Sequence, residues 1–171
     1  MGLDMYLYKK HYVKNWDHNP PERKTTLTVK LGGKKHPDIN TKNVSYIQEE
    51  VGYWRKANAI HQWFVDNVQD GVDQCQESYV DPEKLKALLQ TCLAIKNEVK
   101  LIPGVDDKGR EIKVLDKPEF AKELLPSQGG FFFGGTEYDE WYLRDIEDTI
   151  KILEAELKLE HRVEYYYRSS W

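Results

Sequence analysis

An α+β domain whose two ends meet in one antiparallel sheet is the fold that the sequence predicts, and three observations carry it. Residues 2–8 alternate, with Leu3, Met5 and Leu7 on one face and Asp4, Tyr6 and Tyr8 on the other. A period of two over that length is the mark of a half-buried strand. Residues 162–168, RVEYYYR, alternate in the same way near the other end. Between them the apolar spacing changes to that of about three to four helices, and terminal strands enclosing helices bury their apolar faces best when they share a sheet. A chain of 171 residues forms one domain, large enough to bury about two-thirds of its unfolded surface.

The elements follow in order. Residues 14–24, with Asn19-Pro20-Pro21, read as a loop, and 25–31, TTLTVKL, as a second strand broken by Gly32 and Gly33. A short third strand is expected at 44–47. Over 49–68 the pattern reads as a helix, because Tyr53, Ala57, Ile60, Phe64 and Val68 form one stripe, widened by Trp54, His61 and Val65. Asp70-Gly71 ends it, and 77–80 is extended. Asp81-Pro82-Glu83 is a helix start, with Asp as cap and Pro at the first helical position. That helix carries Leu85, Leu88, Leu89, Cys92 and Ile95 on one face, so Cys92 is a core thiol. Residues 103–115 form an excursion with a turn. Asp116 is expected to cap a short helix containing Phe120, Leu124 and Leu125, stopped by Pro126. The last helix is expected to begin at Thr136, whose hydroxyl would cap the nitrogen of Asp139, and to bury Tyr142, Ile146, Ile150, Leu153 and Leu157. Residues 14–42 and 102–117 read as loops or excursions.

Composition excludes several classes. The formal charge is −4 and the pI about 5.8, so a basic nucleic-acid-binding domain is not expected, although Lys30, Lys34, Lys35 and Lys42 could form a local basic arm. No apolar run approaches a membrane span, and no signal-peptide core precedes the first strand. Cys75 and Cys92 lack metal-ligand spacing and read as reduced, cytoplasmic thiols. No cofactor or metal is expected, since no His-x-x-x-His, His-Glu-x-x-His or cysteine pair occurs. Eleven tyrosines and five tryptophans are more than a small core needs. They point to a recognition surface or pocket where one end of the ring stays wet, or to a tyrosine-rich sheet.

Two segments could carry a site. The first is GGFFFGGTEYDEWY at 129–142, in which glycines flank Phe131, Phe132 and Phe133 ahead of a helix start. A phosphate cradle at this turn conflicts with Glu137, Asp139 and Glu140, and there is no Walker lysine. Stacking of a planar ligand on a phenylalanine, Tyr138 or Trp141 fits better, with Thr136 at the helix start. The opposing reading is a structural wedge into the core. The second segment is YWRKANAIHQWF at 53–64, where Asn58 and His61 lie one turn apart beside Trp54, with Arg55 and Lys56, solvated or paired, able to meet an anionic ligand at the rim. His61 could equally be a satisfied core histidine. Cys75 has no adjacent histidine to activate it, and a pairing with His61 would have to cross a loop.

The motifs MGLDMYL at 1–7, YWRKANAIH at 53–61, GFFFGGTEYDEWY at 130–142 and SSW at 169–171 resemble those of a family of small phage and bacterial proteins. The resemblance spans most of the chain. It implies a phage or prophage setting, and hence the host cytoplasm, but brings no established activity and no catalytic residue. Small phage proteins often act in the conflict with host immunity, some by sequestering nucleotide signals and others by masking a host protein. The leading expectation is a non-enzymatic protein that binds a small polar, nucleotide-like ligand: aromatic faces would stack on it, while Arg55, Asn58 and His61 bond its edges. A protein-binding inhibitor using an exposed aromatic patch is the alternative. A nucleotide hydrolase using His61 with Asp66 or Asp73 is a weaker third. A homodimer is compatible with each.

Overall fold

A computed structural model describes residues 2–106, 108–130, 133–158 and 163–171. Its centre is a four-stranded antiparallel sheet in the order β4-β1-β8-β5. Strand β1 is Asp4–Tyr12, β4 is Tyr46–Arg55, β5 is Ser78–Val80 and β8 is Glu164–Ser170. The expected union of the two ends is therefore direct: β1 and β8 are neighbours, with Leu7 opposite Tyr167. Two hairpins stand apart from the sheet. One joins β2 (Lys30–Leu31) and β3 (Lys34–Lys35); the other joins β6 (Leu101–Val105) and β7 (Glu111–Leu115). The helices are α1 (Asn58–Val68), α2 (Pro82–Glu98), α3 (Pro118–Leu124) and α4 (Glu140–Leu157).

One face of the sheet carries the core. Leu3, Met5 and Leu7, together with Tyr165 and Tyr167 of β8, are buried with Ile60 and Phe64 of α1, Leu85, Leu88, Cys92 and Ile95 of α2, and Ile146 and Leu153 of α4. Gly52 of β4 lets α4 approach, because a Cβ there would stand 3.0 Å from Ile152 and 3.2 Å from Leu7. Lys9 also points inward from β1 and is buried, with its ammonium 3.0 Å from the Glu156 carboxylate of α4. The opposite face is covered by no core residue among the described residues and carries the tyrosines in rows. Tyr6 lies opposite Tyr53, Tyr8 opposite Tyr166, Tyr79 opposite Tyr166 and Tyr12 opposite Tyr46. The tyrosine-rich sheet weighed in the sequence is thus present.

Several elements differ from expectation for identifiable reasons. The predicted helix over 49–68 is half strand: β4 runs to Arg55 and α1 begins only at Asn58. Pairing with β1 claims 46–55, and the helical spacing of Tyr53 and Ala57 is a coincidence of period. An inverse γ-turn separates the two elements, with Ala57 at φ −75° and ψ 69° and the Asn58 N–H donating to the Lys56 carbonyl at 2.9 Å. Of the predicted strand over 25–31 only Lys30 and Leu31 pair, with Lys35 and Lys34 across the Gly32-Gly33 turn. The excursion over 103–115 is the β6–β7 hairpin, closed by the Asp106 carboxylate, which accepts the amides of Lys108 and Arg110. Asp116 does not cap α3. Its carboxylate takes the Lys100 amide instead, and Pro118 opens the helix without a side-chain cap.

Helix α4 starts at Glu140 rather than Thr136, because the Asp139 carboxylate accepts the amides of Trp141 and Tyr142 and outcompetes the more distant hydroxyl. The third strand, expected over 44–47, is the first part of β4. The last strand, expected over 162–168, is described over Glu164–Ser170, so its expected first residue, Arg162, lies outside the described residues. No helix among the described residues is long and apolar enough to cross a membrane.

Candidate functional site

A cleft of about 320 Å³ opens where three segments converge. The β4–α1 corner contributes Arg55, Lys56, Asn58 and Ala59. The segment after α3 contributes Ser127, Gly134, Gly135 and Glu137, and the start of α4 contributes Asp139, Trp141, Tyr142 and Asp145. The corner is set by Lys56, which adopts a left-handed backbone at φ 61°. Such a conformation is costly for a residue with a Cβ and is held here by the Lys56 N–H donating to Leu3.

Asn58, on the same corner, holds the loop that forms the neighbouring wall. Its Nδ2 donates to the carbonyls of Phe133 at 3.1 Å and Gly135 at 2.6 Å, while its Oδ1 accepts the Gln128 amide at 3.0 Å. Both of its N–H donors and one acceptor site of Oδ1 are spent on holding the loop to α1. Asn58 thus clamps the loop at the cleft wall. Ser127 fastens the same loop, with its amide donating to the Tyr138 hydroxyl and its own hydroxyl to the Thr136 carbonyl. Tyr138 and Thr136 thus hold the turn from the side, outside the cleft lining.

The polar groups that do face the cleft are of both signs. Arg55 is mostly exposed, with only a 4.0 Å approach to Asp4. Asp139 is committed to the α4 amides. That capping also removes the helix N-terminus as an anion site, as the acidic first turn implied. Asp145 differs. Its carboxyl makes no hydrogen bond or ion pair among the described residues, and burial, with help from Asp148, pushes its pKa up to about 7. Trp141 lies at the mouth with 62% of its surface exposed, and Arg144 rests over its ring at 5.7 Å. The adjacent Tyr142 is buried, and its hydroxyl donates to the Leu125 carbonyl at 2.8 Å.

The remaining expected site residues lie elsewhere. Trp54 is buried, and its indole N–H donates to Thr149 at 2.9 Å. His61 is wholly buried. Its Nε2 stands 2.9 Å from Asp73 and its Nδ1 2.7 Å from the Tyr167 hydroxyl. A carboxylate only accepts, so Nε2 carries the proton and Nδ1 accepts from tyrosine. Both nitrogens are used, which leaves neither to activate Cys75. Asp66, the other acid weighed as a partner for His61, bonds Gln62 on the helix surface.

Phe133 is the wedge of the sequence reading. It is half-buried, edge-on to His61 at 5.1 Å and to Trp171 at 6.2 Å. Gly130 makes room for it, since a Cβ there would fall 2.6 Å from the ring. Phe131 and Phe132 lie outside the described residues. Of the ten expected site residues, the structure brings Arg55, Asn58 and Trp141 to the cleft wall.

Lys56 joins Arg55 at the cleft, as the rim reading allowed, and Asp145 is the charged lining residue that sequence reasoning missed. Asp145 left a signal: it falls within the helical stripe of Tyr142, Ile146 and Ile150, where an acid is out of place. Among the described residues no three His, Cys, Asp or Glu side chains gather as a metal site. Comparison with protein-family models, with curated proteins and with solved structures yields no match to this chain.

Proposed function

We propose that the protein is a non-enzymatic binder of a small, planar, polar ligand of the nucleotide class, held in the cleft between the β4–α1 corner and the start of α4. The observation that carries this reading is the exposed Trp141 indole standing in one cleft with the cations of Arg55 and Lys56 and the unpartnered carboxyl of Asp145. A base stacks on Trp141, its exocyclic N–H groups donate to Asp145, and an anionic tail meets Arg55 and Lys56. The cleft volume of 320 Å³ lies at the lower end of the range of small-molecule sites, about 300–1,000 Å³.

Binding without turnover fits the side chains. The Ser127 hydroxyl in the cleft is engaged with the Thr136 carbonyl, and His61, paired with Asp73, is wholly buried behind Phe133 and away from the cleft lining. The resemblance to small phage proteins supports sequestration of a nucleotide-like host signal, in the host cytoplasm, as the biological role.

The test is thermal unfolding against a panel of mono-, di- and cyclic nucleotides, together with mass spectrometry of anything released on heat denaturation. A stabilising or released nucleotide, recovered intact, is expected. Trp141→Ala should abolish the stabilisation while leaving the ligand-free midpoint near that of the parent, since the indole is mostly exposed. No shift across the panel and no released molecule would remove the reading.

A further inference from the structure

The sheet face away from the helices is covered by no core residue among the described residues. Its central row is Glu50, Tyr8, Tyr166 and Tyr79, flanked by Tyr53, Tyr6 and Arg168 on one side and by Gln48, Lys10 and Glu164 on the other. None of these tyrosines joins the hydrophobic core. Tyr6 and Tyr8 stack at 5.8 Å and Tyr79 meets Tyr166 edge-on at 5.9 Å, so the rings are already ordered against one another. Ordered tyrosines offer large contact area at low entropic cost, which is why tyrosine and arginine are enriched where proteins meet.

We propose that this face is occupied by a second copy of the same chain, related by a two-fold axis that runs parallel to the sheet and above its face, across the strands, and passes over Tyr8 and Tyr166. Three arguments select that partner. First, a charge pair on β8 is self-complementary, and the only like charges the rotation brings together in these rows are those of Glu50 at the end of the axial row. Arg168 and Glu164 lie two residues to either side of Tyr166 on β8, so the rotation sets Arg168 over the partner's Glu164, and the reverse, in one isologous contact. Arg168 makes no ion pair among the described residues and is exposed.

Second, the size suits a dimer. Strands of ten, nine, seven and three residues, at about 3.3 Å per residue and about 4.8 Å apart, present a plane of about 450 Å². Corrugation by tyrosines raises the accessible area toward the ~800 Å² per partner of a standard interface. Face-to-face packing of antiparallel sheets is also a common arrangement.

Third, the face suits single-stranded nucleic acid poorly. Stacking platforms of that kind rest in a cationic groove. Here Lys10, Arg55 and Arg168 are offset by Asp4, Glu50, Glu77 and Glu164, and Lys10 is already paired with Glu77.

The test is sedimentation velocity on the full chain at low salt, from low to high micromolar concentration. A concentration-dependent species of twice the 20.2 kDa chain mass is expected. Arg168→Glu and Glu164→Arg should each weaken the dimer by at least about tenfold, and the double reversal should restore it. Both side chains are exposed, and circular dichroism confirms that the variants remain folded. A chain that stays monomeric at the highest concentration overturns the proposal, as does a monomer whose tyrosine face binds oligouridine. A dimer indifferent to both single reversals overturns the assignment of this face. Trp141→Ala lies off the face and should leave the dimer intact, so failure of the cleft reading and failure of this one are separable.

Discussion

The Asp73 carboxylate and the Trp171 indole meet at 3.1 Å, Nε1–H donating to Oδ1, while the second carboxylate oxygen receives His61 at 2.9 Å. One acid thus ties the end of β8 to helix α1, and Phe133 fills the angle between His61 and Trp171. The arrangement contains the elements of a catalytic dyad but has the burial of a structural joint.

Asp73→Ala should therefore destabilise the fold without touching ligand affinity. It strands the His61 N–H in the interior, at a cost of about 1–3 kcal/mol. Trp171→Phe keeps a ring at the same place and loses only the N–H bond, about 0.5–1.5 kcal/mol. Urea unfolding measures both, and titration of the ligand found in the nucleotide panel measures affinity. An unchanged midpoint in Asp73→Ala would refute the joint, and a lost affinity at unchanged stability would revive a functional role for His61.

Asn58 gives a sharper case, because it is an expected ligand contact that sits at the cleft wall while both of its N–H donors are bound to the loop. Removing its amide leaves the Phe133 and Gly135 carbonyls and the Gln128 amide without their partner. Asn58→Ala should lower stability by about 2–4 kcal/mol and speed hydrogen exchange at the Gln128 amide. Asn58→Asp should be at least as harmful, since a carboxylate keeps the Gln128 bond but faces two carbonyls. Slow exchange at Gln128 in Asn58→Ala would show that the loop holds without the clamp.

The sequence made the sheet legible where alternation was strict and both faces had distinct demands. Leu3, Met5 and Leu7 had to face a core, so β1 was readable, and the same logic held for Tyr165 and Tyr167 in β8. Helix α2 was readable because Asp81 and Pro82 mark its start chemically, and Asp81 does accept the Glu83 amide. The boundary between β4 and α1 was not. Tyr53 and Trp54 satisfy a helical stripe and a pleat equally, and only pairing with β1, a contact across about forty-five residues, decides between them. The cleft was partly legible for the same reason. Trp141 announces itself by composition, whereas the roles of Lys56 and Asp145 depend on a turn and a helix meeting across the fold.

Asp145 supplies the last test, through pH. Burial is the main cause of its rise to about 7, with Asp148 and Asp139 adding to it and Arg144 opposing. In the unfolded chain the same carboxyl titrates near pH ~4. Between these values the folded state holds a proton that the unfolded state has released, so stability falls as pH rises from about 4 to about 7 and the loss is complete above that window. Asp145→Asn removes the titration. Its stability relative to the parent should be near zero at about pH 4 and reach on the order of 2 kcal/mol in the variant's favour at about pH 8, after discounting for partial solvent access. A pH-independent difference would mean that the carboxyl is ordinary. The same group links stability to binding: a ligand whose N–H edge donates to Asp145 selects the ionised form. Nucleotide affinity in the parent should therefore rise through about pH 7, and this rise should vanish in Asp145→Asn even though the variant is the more stable protein.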